Sequence, residues 1–369
     1  MENAIVHYAS AVLISVRSID TCIMRPRHVL ITGGSRGIGL AIARLFAKNA
    51  YRCTLISRSE RDLKDAVASL TPLLTSSPSS GAIPSTTSSS PPTPSTPEDE
   101  TCPYPLPSYQ HNYIAASITS PTFWSTSAPA NPTAQDQLPV SLSPPFPSFL
   151  PKPPRKDPTH ASHIDVLVHC AGIAQASLFT RTSEDDIEAM IATNLTSVMR
   201  STRFLLRHGY LRKQASSSSS QAASASTLAS CADATSTCTS APDAGQTAQQ
   251  NTDAQLQPHT PVIINIASVL GILGGHGAVA YAASKAGVLG FTRALASEYT
   301  SHGVRVNAVL PGYVETGMTR DLNPNHLSTR IPLARLGTPD EIASAVLFLA
   351  QNEYAHNAVL NIDGGVSAV

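Results

Sequence analysis

The fold is decided by HVLITGGSRGIGLAIARLFAK, the stretch from His28 to Lys48. It opens with a mostly apolar run typical of a buried strand, and residues 38–48 carry apolar side chains at helical spacing. Glycines in the turn between them let the backbone approach a pyrophosphate, and the free N–H groups of the following helix favour an anion there. This order of strand, glycine-rich turn and helix predicts a dinucleotide site.

Short apolar runs alternate with helical patterns along the rest of the chain. Further strands are predicted at residues 51–56, 113–118, 164–169, 262–266, 304–310 and 359–362. Further helices are predicted at residues 60–70, 183–208, 280–300 and 339–350. Because unbroken apolar strands separated by helices are typical of a parallel sheet covered on both faces, we expect an α/β fold. Specifically, we expect a Rossmann-type, doubly wound parallel sheet in a single domain over residues 28–369.

Three stretches interrupt this domain, and we expect them to be disordered, low-complexity insertions. They are residues 71–110, 121–160 and 214–260. Residues 71–160 hold 21 of the 29 prolines, and residues 214–260 contain no Lys or Arg. Such a composition cannot bury enough apolar surface to offset the chain entropy lost on folding. Without residues 71–160 and 214–260, the chain has 232 residues, of which 22 are basic and 17 acidic. That is the size of one compact domain.

The composition excludes several classes of protein. No apolar run reaches the roughly 20 residues of a membrane-spanning helix, so no membrane association is expected. The basic excess of the core is too small and too scattered to predict a nucleic-acid partner. The six cysteines contain no C-x-x-C pair and the twelve histidines no H-x-x-x-H pair. We therefore predict no metal site and a reducing compartment.

Two interpretations of residues 1–27 stay open. The segment holds an apolar stretch from Ala4 to Val16, followed by three arginines, and only two acids. That pattern is compatible with a mitochondrial transit peptide. The alternative is an extension without function upstream of Met24. The expected location is therefore mitochondrial or cytoplasmic, with the mitochondrial matrix preferred.

A tyrosine, a lysine and a serine predict chemistry on a carbonyl group. Tyr281 and Lys285 lie four residues apart on one face of a predicted helix. The ammonium group is therefore expected to lower the pKa of the phenol from about 10, as a general acid needs. Ser268 ends the preceding strand, close enough to contact the same oxygen. The alternative is a partly buried tyrosine with a structural role.

The residues after the second strand distinguish the two nicotinamide cofactors. An acidic residue there would bind the adenosine ribose and repel a 2′-phosphate. This chain has Ser57 and Arg58 instead, with Arg36 inside the glycine turn. Two guanidinium groups at one corner favour NADPH. The alternative is that Arg58 is a solvated residue at the start of a helix.

Six motifs, in order and in spacing, resemble the short-chain dehydrogenase/reductase family. They are Thr32–Gly39, Cys170-Ala171-Gly172, Asn194, Ser268, Tyr281-x-x-x-Lys285 and Pro311-Gly312-Tyr313-Val314-Glu315-Thr316. Within the family, the features around Arg36, Arg58 and residues 331–337 are most similar to β-ketoacyl-[acyl-carrier-protein] reductases and related mitochondrial carbonyl reductases. The resemblance implies NADPH-dependent reduction of a 3-oxoacyl thioester on an acyl carrier protein in fatty-acid biosynthesis. The alternative is a carbonyl reductase acting on quinones, polyketides or other small ketones.

The resemblance also implies a role for each residue. Tyr281 would protonate the carbonyl oxygen, Ser268 would hydrogen-bond it, and Lys285 would bind the ribose hydroxyls. Asn194 would hold a water that passes protons to Lys285, although an asparagine in a helix is also explained as a satisfied polar residue. The implied cofactor-binding residues are Thr32, Gly33, Ser35, Arg36, Gly37, Ile38, Gly39, Ser57, Arg58, Ala171, Gly172, Tyr281, Lys285, Pro311, Gly312, Val314 and Thr316. A homotetramer is implied as well.

The chain departs from the family pattern in three places. His169 and Cys170 stand where an asparagine pair or Asn-Ala is usual, and Ser117 stands where an aspartate usually contacts adenine. The helix expected between the third and fourth strands has no clear counterpart in residues 121–160. One face of the sheet is therefore expected either to be thinly covered or to be covered by a short substitute around Phe123-Trp124.

Two surface features bear on the substrate. The loop 317–337 is expected to be the substrate lid, and its apolar side chains suit either an acyl chain or packing onto a neighbouring helix. A basic cluster at the end of the long helix suits an acidic carrier, or alternatively the dipole at a solvated helix end. The cluster consists of Arg203, Arg207, Arg212 and Lys213, with Arg293 and Arg305 at another candidate edge.

Overall fold

The computed structural model describes residues 25–73, 110–126, 144–154, 157, 160–175, 177–213, 259–320 and 328–368. Within these ranges, seven parallel strands form one sheet in the order β3-β2-β1-β4-β5-β6-β7. The strands are β1 His28–Thr32, β2 Arg52–Ser57, β3 Asn112–Ala115, β4 Val166–His169, β5 Val262–Ile266, β6 Arg305–Pro311 and β7 Val359–Ile362. The order reverses between β1 and β4, which places a crevice at the carboxyl ends of these two strands. The predicted doubly wound α/β fold is confirmed.

Helices cover both faces of the sheet. They are α1 Gly37–Lys48, α2 Glu60–Ala68, α3 Glu184–Ile191, α4 Ser197–Arg207, α5 Leu270–Leu273, α6 Val279–Tyr299 and α7 Pro339–Gln351. On one face, α1, α2 and α7 bury side chains such as Phe46, Leu63 and Val346 against the strands. On the other face, α4 and α6 bury Phe204, Leu205 and Leu295. The two cores give each central strand the apolar environment that its sequence predicts.

An aromatic cluster covers the sheet where the expected helix between β3 and β4 is missing. Phe123, Trp124 and Phe146 are at most 6% exposed, and their rings pack with centroids 4.6 to 5.9 Å apart. Trp124 Nε1 donates a hydrogen bond to the carbonyl of Ile118 (2.9 Å). The prediction of disorder throughout residues 121–160 is therefore wrong for 121–126 and 144–154. The alternative of a short substitute around Phe123-Trp124 is confirmed.

Other predictions for the interruptions fall on residues outside the described ranges. These are the transit peptide or extension, apart from residues 25–27, and the insertions at 74–109, 127–143 and 214–258. The predicted third strand is shorter than expected, because only residues 112–115 pair with β2. Ser117 follows its end, where its side chain contacts Thr119 Oγ1 at 2.9 Å.

Candidate active site

Loops at the carboxyl edge of the sheet bring the predicted site residues together. The glycine turn follows β1, Ala171 and Gly172 follow β4, Ser268 follows β5, and residues 312–316 follow β6. Tyr281 lies in the first turn of α6, the helix that follows Ser268. All of these loops share one edge because the strands are parallel.

The glycine turn forms a tight backbone cradle. Gly33 has a φ of +73°, and a Cβ on this residue would lie 2.7 Å from the Cα of Ala171. A Cβ on Gly39 would collide with the Gly33 carbonyl oxygen. Thr32 Oγ1 joins the two loops, since it accepts hydrogen bonds from the N–H groups of Cys170 (3.3 Å) and Ala171 (3.4 Å). The close approach leaves backbone N–H groups at the start of α1 facing the crevice, where a pyrophosphate would bind.

The corner predicted to select the cofactor carries exposed guanidinium groups. Arg36 is the N-cap residue of α1, and both Arg36 and Arg58 are exposed. Ser35 Oγ donates to Ser57 Oγ at 3.1 Å, which joins the glycine turn to the end of β2. The second strand therefore ends beside the glycine turn, as the cofactor interpretation requires.

Tyr281 and Lys285 lie next to each other at the start of α6. The Lys285 Nζ is 5.8 Å from the centroid of the Tyr281 ring and donates to the Ile266 carbonyl at 2.9 Å. Burial lowers the pKa of Lys285 to about 8, against a weak opposing effect of the Cys170 thiol. Burial also raises the pKa of Tyr281, and a hydrogen bond with Ser268 opposes that shift.

The predicted lowering of the tyrosine's pKa is therefore wrong for this structure, because burial raises the pKa of Tyr281. The hydrogen bond with Ser268 opposes this rise without reversing it. The ammonium group of Lys285 is instead held by a strand carbonyl. The side chains of Ser268 and Lys285 are at most 7% exposed, so their dipole and charge act in a poorly solvated site.

Asn194 lies in a π-helical turn, Ala192–Thr196, between α3 and α4. It is 1% exposed, accepts from the N–H of Ile173 at 2.9 Å, and donates to the Ile173 carbonyl and to Ser284 Oγ at 3.0 Å each. A Cβ on Gly172 would meet Asn194 Oδ1 at 3.3 Å and Lys285 Nζ at 3.5 Å. The π turn thus aims Asn194 at the loop beside Lys285, whereas the sequence predicted one uninterrupted helix.

His169 and Cys170, which replace the asparagine pair or Asn-Ala usual in the family, are packing residues in this structure. His169 is 3% exposed, contacts Thr202 Oγ1 at 2.9 Å, and its pKa falls to about 3 because of burial. Burial raises the pKa of Cys170 to about 12, so its thiol stays protonated at neutral pH. Neither side chain replaces the usual asparagine as a polar group in the crevice.

The loop after β6 borders the glycine turn. A Cβ on Gly37 would lie 3.6 Å from Thr316 Cγ2, so this loop contacts the glycine turn. Val314 is buried, and its carbonyl accepts a hydrogen bond from Thr319 Oγ1 at 2.6 Å. Residues 321–327 of the predicted lid lie outside the described ranges, while Met318 and Leu333 are exposed on either side of them.

The basic residues predicted to dock a carrier do not form one surface at the site. Arg305 is buried, and its guanidinium donates to carbonyls at the end of α7, so its assignment to a docking edge is wrong. The exposed cluster of Arg203, Arg207, Arg212 and Lys213 spans the last turns of α4 and the residues just after it. There the Tyr210 carbonyl accepts from the N–H of Ile164, just before β4 begins. That end of the sheet is opposite the edge with Tyr281.

The sequence reasoning missed Gln175, which joins the loop after β4 to the first turn of α6. Its Oε1 accepts from the N–H of Ala280 at 2.9 Å. A glutamine in a loop carries no distinctive pattern, and its partner lies 105 positions away. Among the described residues, no group of three or more His, Cys, Asp or Glu could hold a metal ion. In the same ranges, no helix is long and apolar enough to cross a membrane.

Two family models together match most of the chain. Residues 27–78 and 157–231 match the family described as short chain dehydrogenase. Residues 245–367 match the family described as enoyl-(acyl carrier protein) reductase.

Curated relatives match over about two thirds of their own length. The 3-oxoacyl-[acyl-carrier-protein] reductase of Vibrio harveyi is 36% identical over 56% of this chain and 68% of its own. The human 3-oxoacyl-[acyl-carrier-protein] reductase is 31% identical over 57% and 69%. Carbonyl reductase family member 4 of Xenopus laevis is 32% identical over 55% and 67%.

A solved structure shares the fold. It is a short-chain dehydrogenase/reductase from Brucella melitensis, titled glucose/ribitol dehydrogenase. It is 22% identical, with a TM-score of 0.57 over 92% of this chain and 96% of its own.

Proposed function

The chain belongs to the short-chain dehydrogenase/reductase family, and from this we propose that it reduces a 3-oxoacyl thioester with NADPH. The observation that carries the proposal is the convergence of Ser268, Tyr281, Lys285 and Asn194 at the sheet edge that holds the glycine cradle. This arrangement is suited to moving a proton onto a carbonyl oxygen.

The residues present fit a dinucleotide. The cradle at Gly33 and Gly39 has no room for a Cβ, which is the fit expected where the backbone must approach a pyrophosphate closely. Thr32, Ala171 and Gly172 would line the ribose side, and Pro311, Gly312, Val314 and Thr316 the nicotinamide side. When bound, the cofactor supplies the hydride.

The chain's own residues supply the proton. Tyr281 donates its phenolic proton to the carbonyl oxygen, and the Ser268 hydroxyl donates a hydrogen bond to the same oxygen as negative charge develops on it. Lys285 would hold the ribose hydroxyls of the bound cofactor, and its ammonium group, 5.8 Å from the Tyr281 ring centroid, would stabilise the phenolate that forms. Asn194 fixes the loop at Ile173, and through a bound water it would return a proton towards Lys285.

NADPH is the proposed cofactor because Arg36 and Arg58 stand where an acidic residue would select NADH. A 2′-phosphate would lie between two exposed guanidinium groups and meet no carboxylate from the end of β2. Arg36→Ala combined with Arg58→Ala should raise the KM for NADPH much more than the KM for NADH. Equal effects on the two constants would contradict the assignment.

The substrate class is proposed from the printed names of the relatives and from the rim of the site. Exposed apolar side chains flank the crevice at Leu178, Phe179, Ile272 and Leu273, which suits an acyl chain. One observation favours the alternative, a small-ketone carbonyl reductase. The basic cluster at the end of α4 lies opposite the site, so a carrier bound there could not present its thioester to this subunit's own Tyr281.

The deciding experiment follows NADPH oxidation with acetoacetyl-carrier protein, with a quinone and without substrate. Turnover of the carrier-linked substrate at the higher kcat/KM supports the proposal, and turnover of the quinone alone supports the carbonyl reductase. Tyr281→Phe should lower kcat at least about a hundredfold on the accepted substrate while NADPH still binds, because it removes only the proton donor. An active Tyr281→Phe enzyme would contradict the assigned chemistry.

Two further parts of the proposal concern assembly and location. We propose a homotetramer, to be tested by light scattering of the purified protein. We also propose the mitochondrial matrix, which depends on residues 1–24, outside the described ranges. Import of the full chain into isolated mitochondria tests that location.

A further inference from the structure

The first turn of α6 has no capping side chain of its own. Its N-cap residue is Ala278, which has no side chain able to accept a hydrogen bond. The first N–H groups of a helix have no partner within the helix, and a buried N–H without a partner destabilises the fold. Ala280 is 5% exposed, so its N–H cannot rely on solvent. Tyr281, the next residue, depends on the position of this turn.

Gln175 supplies the missing acceptor from a different loop. Its Oε1 lies 2.9 Å from the N–H of Ala280. Its Nε2 donates to the Ser177 carbonyl at 2.7 Å and to Thr182 Oγ1 at 3.2 Å. One amide group thus holds the start of α6 on one side and the loop before α3 on the other.

A second set of contacts joins the same two elements. Asn194 holds both the N–H and the carbonyl of Ile173, two residues before Gln175. Asn194 also donates to Ser284 Oγ, which in turn donates to the Tyr281 carbonyl at 2.7 Å. Tyr281 is therefore held from both sides by one loop, through Gln175 at the N–H end of the turn and through Asn194 and Ser284 at its carbonyl.

We propose that Gln175 is a positioning residue for Tyr281. By accepting from Ala280 it fixes the first turn of α6 at the distance from Ser268 that proton transfer needs. The same loop carries the exposed Leu178 and Phe179, so a substrate that orders these side chains also orders the turn that carries Tyr281. This proposal rests on the proposed reduction of a ketone, because its kinetic readout is the turnover of that reaction.

The test compares three variants of the full chain. Gln175→Met is nearly isosteric and removes the acceptor, whereas Gln175→Glu retains an acceptor that also complements the positive end of the helix. Gln351→Met makes the same change on an exposed glutamine at the end of α7, at the opposite edge of the sheet. The measurements are kcat, KM for NADPH, the pH dependence of kcat, and hydrogen exchange of the Ala280 amide.

Gln175→Met should lower kcat about tenfold, because a small misplacement of a reacting group costs that much, and should leave KM for NADPH unchanged. The high-pH limb of kcat should move to higher pH, since Tyr281 loses part of the Ser268 contact that lowers its pKa. The Ala280 amide should exchange faster. Gln175→Glu should restore the slow exchange and most of kcat, and Gln351→Met should behave as wild type.

Faster exchange in Gln175→Met with an unchanged kcat and pH profile would overturn the proposal, since the residue would then be only a structural cap. A rise in KM for NADPH equal to the loss of kcat would also overturn it. Wild-type protein inactive on every ketone would instead contradict the proposed function. In that case, unchanged exchange of Ala280 in Gln175→Met would still overturn the contact on which the positioning role rests.

Discussion

His169 is a titratable side chain that the folded protein holds neutral beneath the active site. Burial lowers its pKa from 6.5 to about 3, and its ring contacts Thr202 Oγ1. The unfolded chain takes up a proton near pH 6.5, whereas the folded chain does not until about pH 3. The stability contributed by this histidine is therefore fully present above pH 6.5 and is lost as pH falls towards 3.

We expect the free energy of unfolding to fall by about 2 kcal/mol between pH 7 and pH 5 through His169 alone. Burial also lowers the pKa of His28, so part of the total pH dependence belongs to that residue. His169→Gln keeps a polar group near Thr202 without titrating in this range, and should remove about 2 kcal/mol of the difference. Urea unfolding at the two pH values measures it. A variant with the wild-type pH dependence would contradict the assignment.

At the residue scale, spacing located Ser268, Tyr281 and Lys285, because each lies at a fixed offset within a strand–turn–helix unit, whereas Asn194 was indicated only by the family resemblance. The pKa shifts of these residues could not be predicted from spacing. The direction of the Tyr281 pKa shift depends on burial and on which neighbour reaches the hydroxyl, and both are tertiary properties. Gln175 stayed unseen because its partner is distant in sequence.

At the scale of an element, Arg305 closes the carboxyl end of α7. Its guanidinium donates to the carbonyls of Leu349, Ala350, Asn352 and Ala355 at 2.8 to 3.0 Å. Such carbonyls have no partner within a helix, and the planar guanidinium with its several donors can reach them together. Burying a charge here is offset by these bonds and by an ion pair with Glu353 at 3.5 Å.

Arg305→Met should lower the free energy of unfolding by about 3 kcal/mol, because it removes a buried donor from the carbonyls of Leu349 and Ala350 at the end of α7. Arg305→Lys should recover only part of that loss. Glu353→Gln is the matched control: it removes the charge of a partly exposed carboxylate that pairs with Arg305 and also contacts His259, and it should cost less than about 1 kcal/mol. Urea unfolding checks all three. If Glu353→Gln costs as much as Arg305→Met, the ion pair and not the helix end is the source of stability.

The predicted bounds of β5 and β7 agree with the structure, because each strand is a mostly apolar run in the sequence. The π turn at Asn194 was not predicted, because one extra residue in a turn hardly disturbs helical periodicity. The ordered structure of residues 121–126 and 144–154 was not predicted, because the expectation of disorder was based on the mean composition of the whole tract. The prolines dominate the composition of that tract, while its few aromatic side chains bury enough surface to pack on the sheet.

At the scale of the whole molecule, the described residues on the two sides of each interruption of the core lie close together. His111 Nε2 contacts the Thr71 carbonyl at 2.8 Å, joining the two sides of residues 74–109. The N–H of Phe146 donates to the Phe123 carbonyl at 2.8 Å, joining the two sides of 127–143. Around 214–258, Lys213 packs on Gly303 and Pro261 accepts from the N–H of Arg305, so both sides border the start of β6.

These junctions predict that residues 74–109, 127–143 and 214–258 can each be replaced by a short Gly-Ser linker with the reductase core intact. The flanking residues stay joined by their own contacts, and none of the junctions touches Ser268, Tyr281 or the glycine cradle.

A shorter connection loses less entropy on closure than a long one, so the free energy of unfolding of each shortened protein should be unchanged or higher by about 1 to 2 kcal/mol. Activity should stay within about twofold of the full chain, measured as NADPH oxidation on the accepted ketone, since the flanking junctions lie away from the reacting groups. As a control, replacing residues 121–150 removes the aromatic cluster and should unfold that face of the sheet. Circular dichroism checks that each shortened protein is folded. If replacing residues 74–109, 127–143 or 214–258 abolishes activity in a folded protein, the replaced residues contribute to the site and this prediction is wrong.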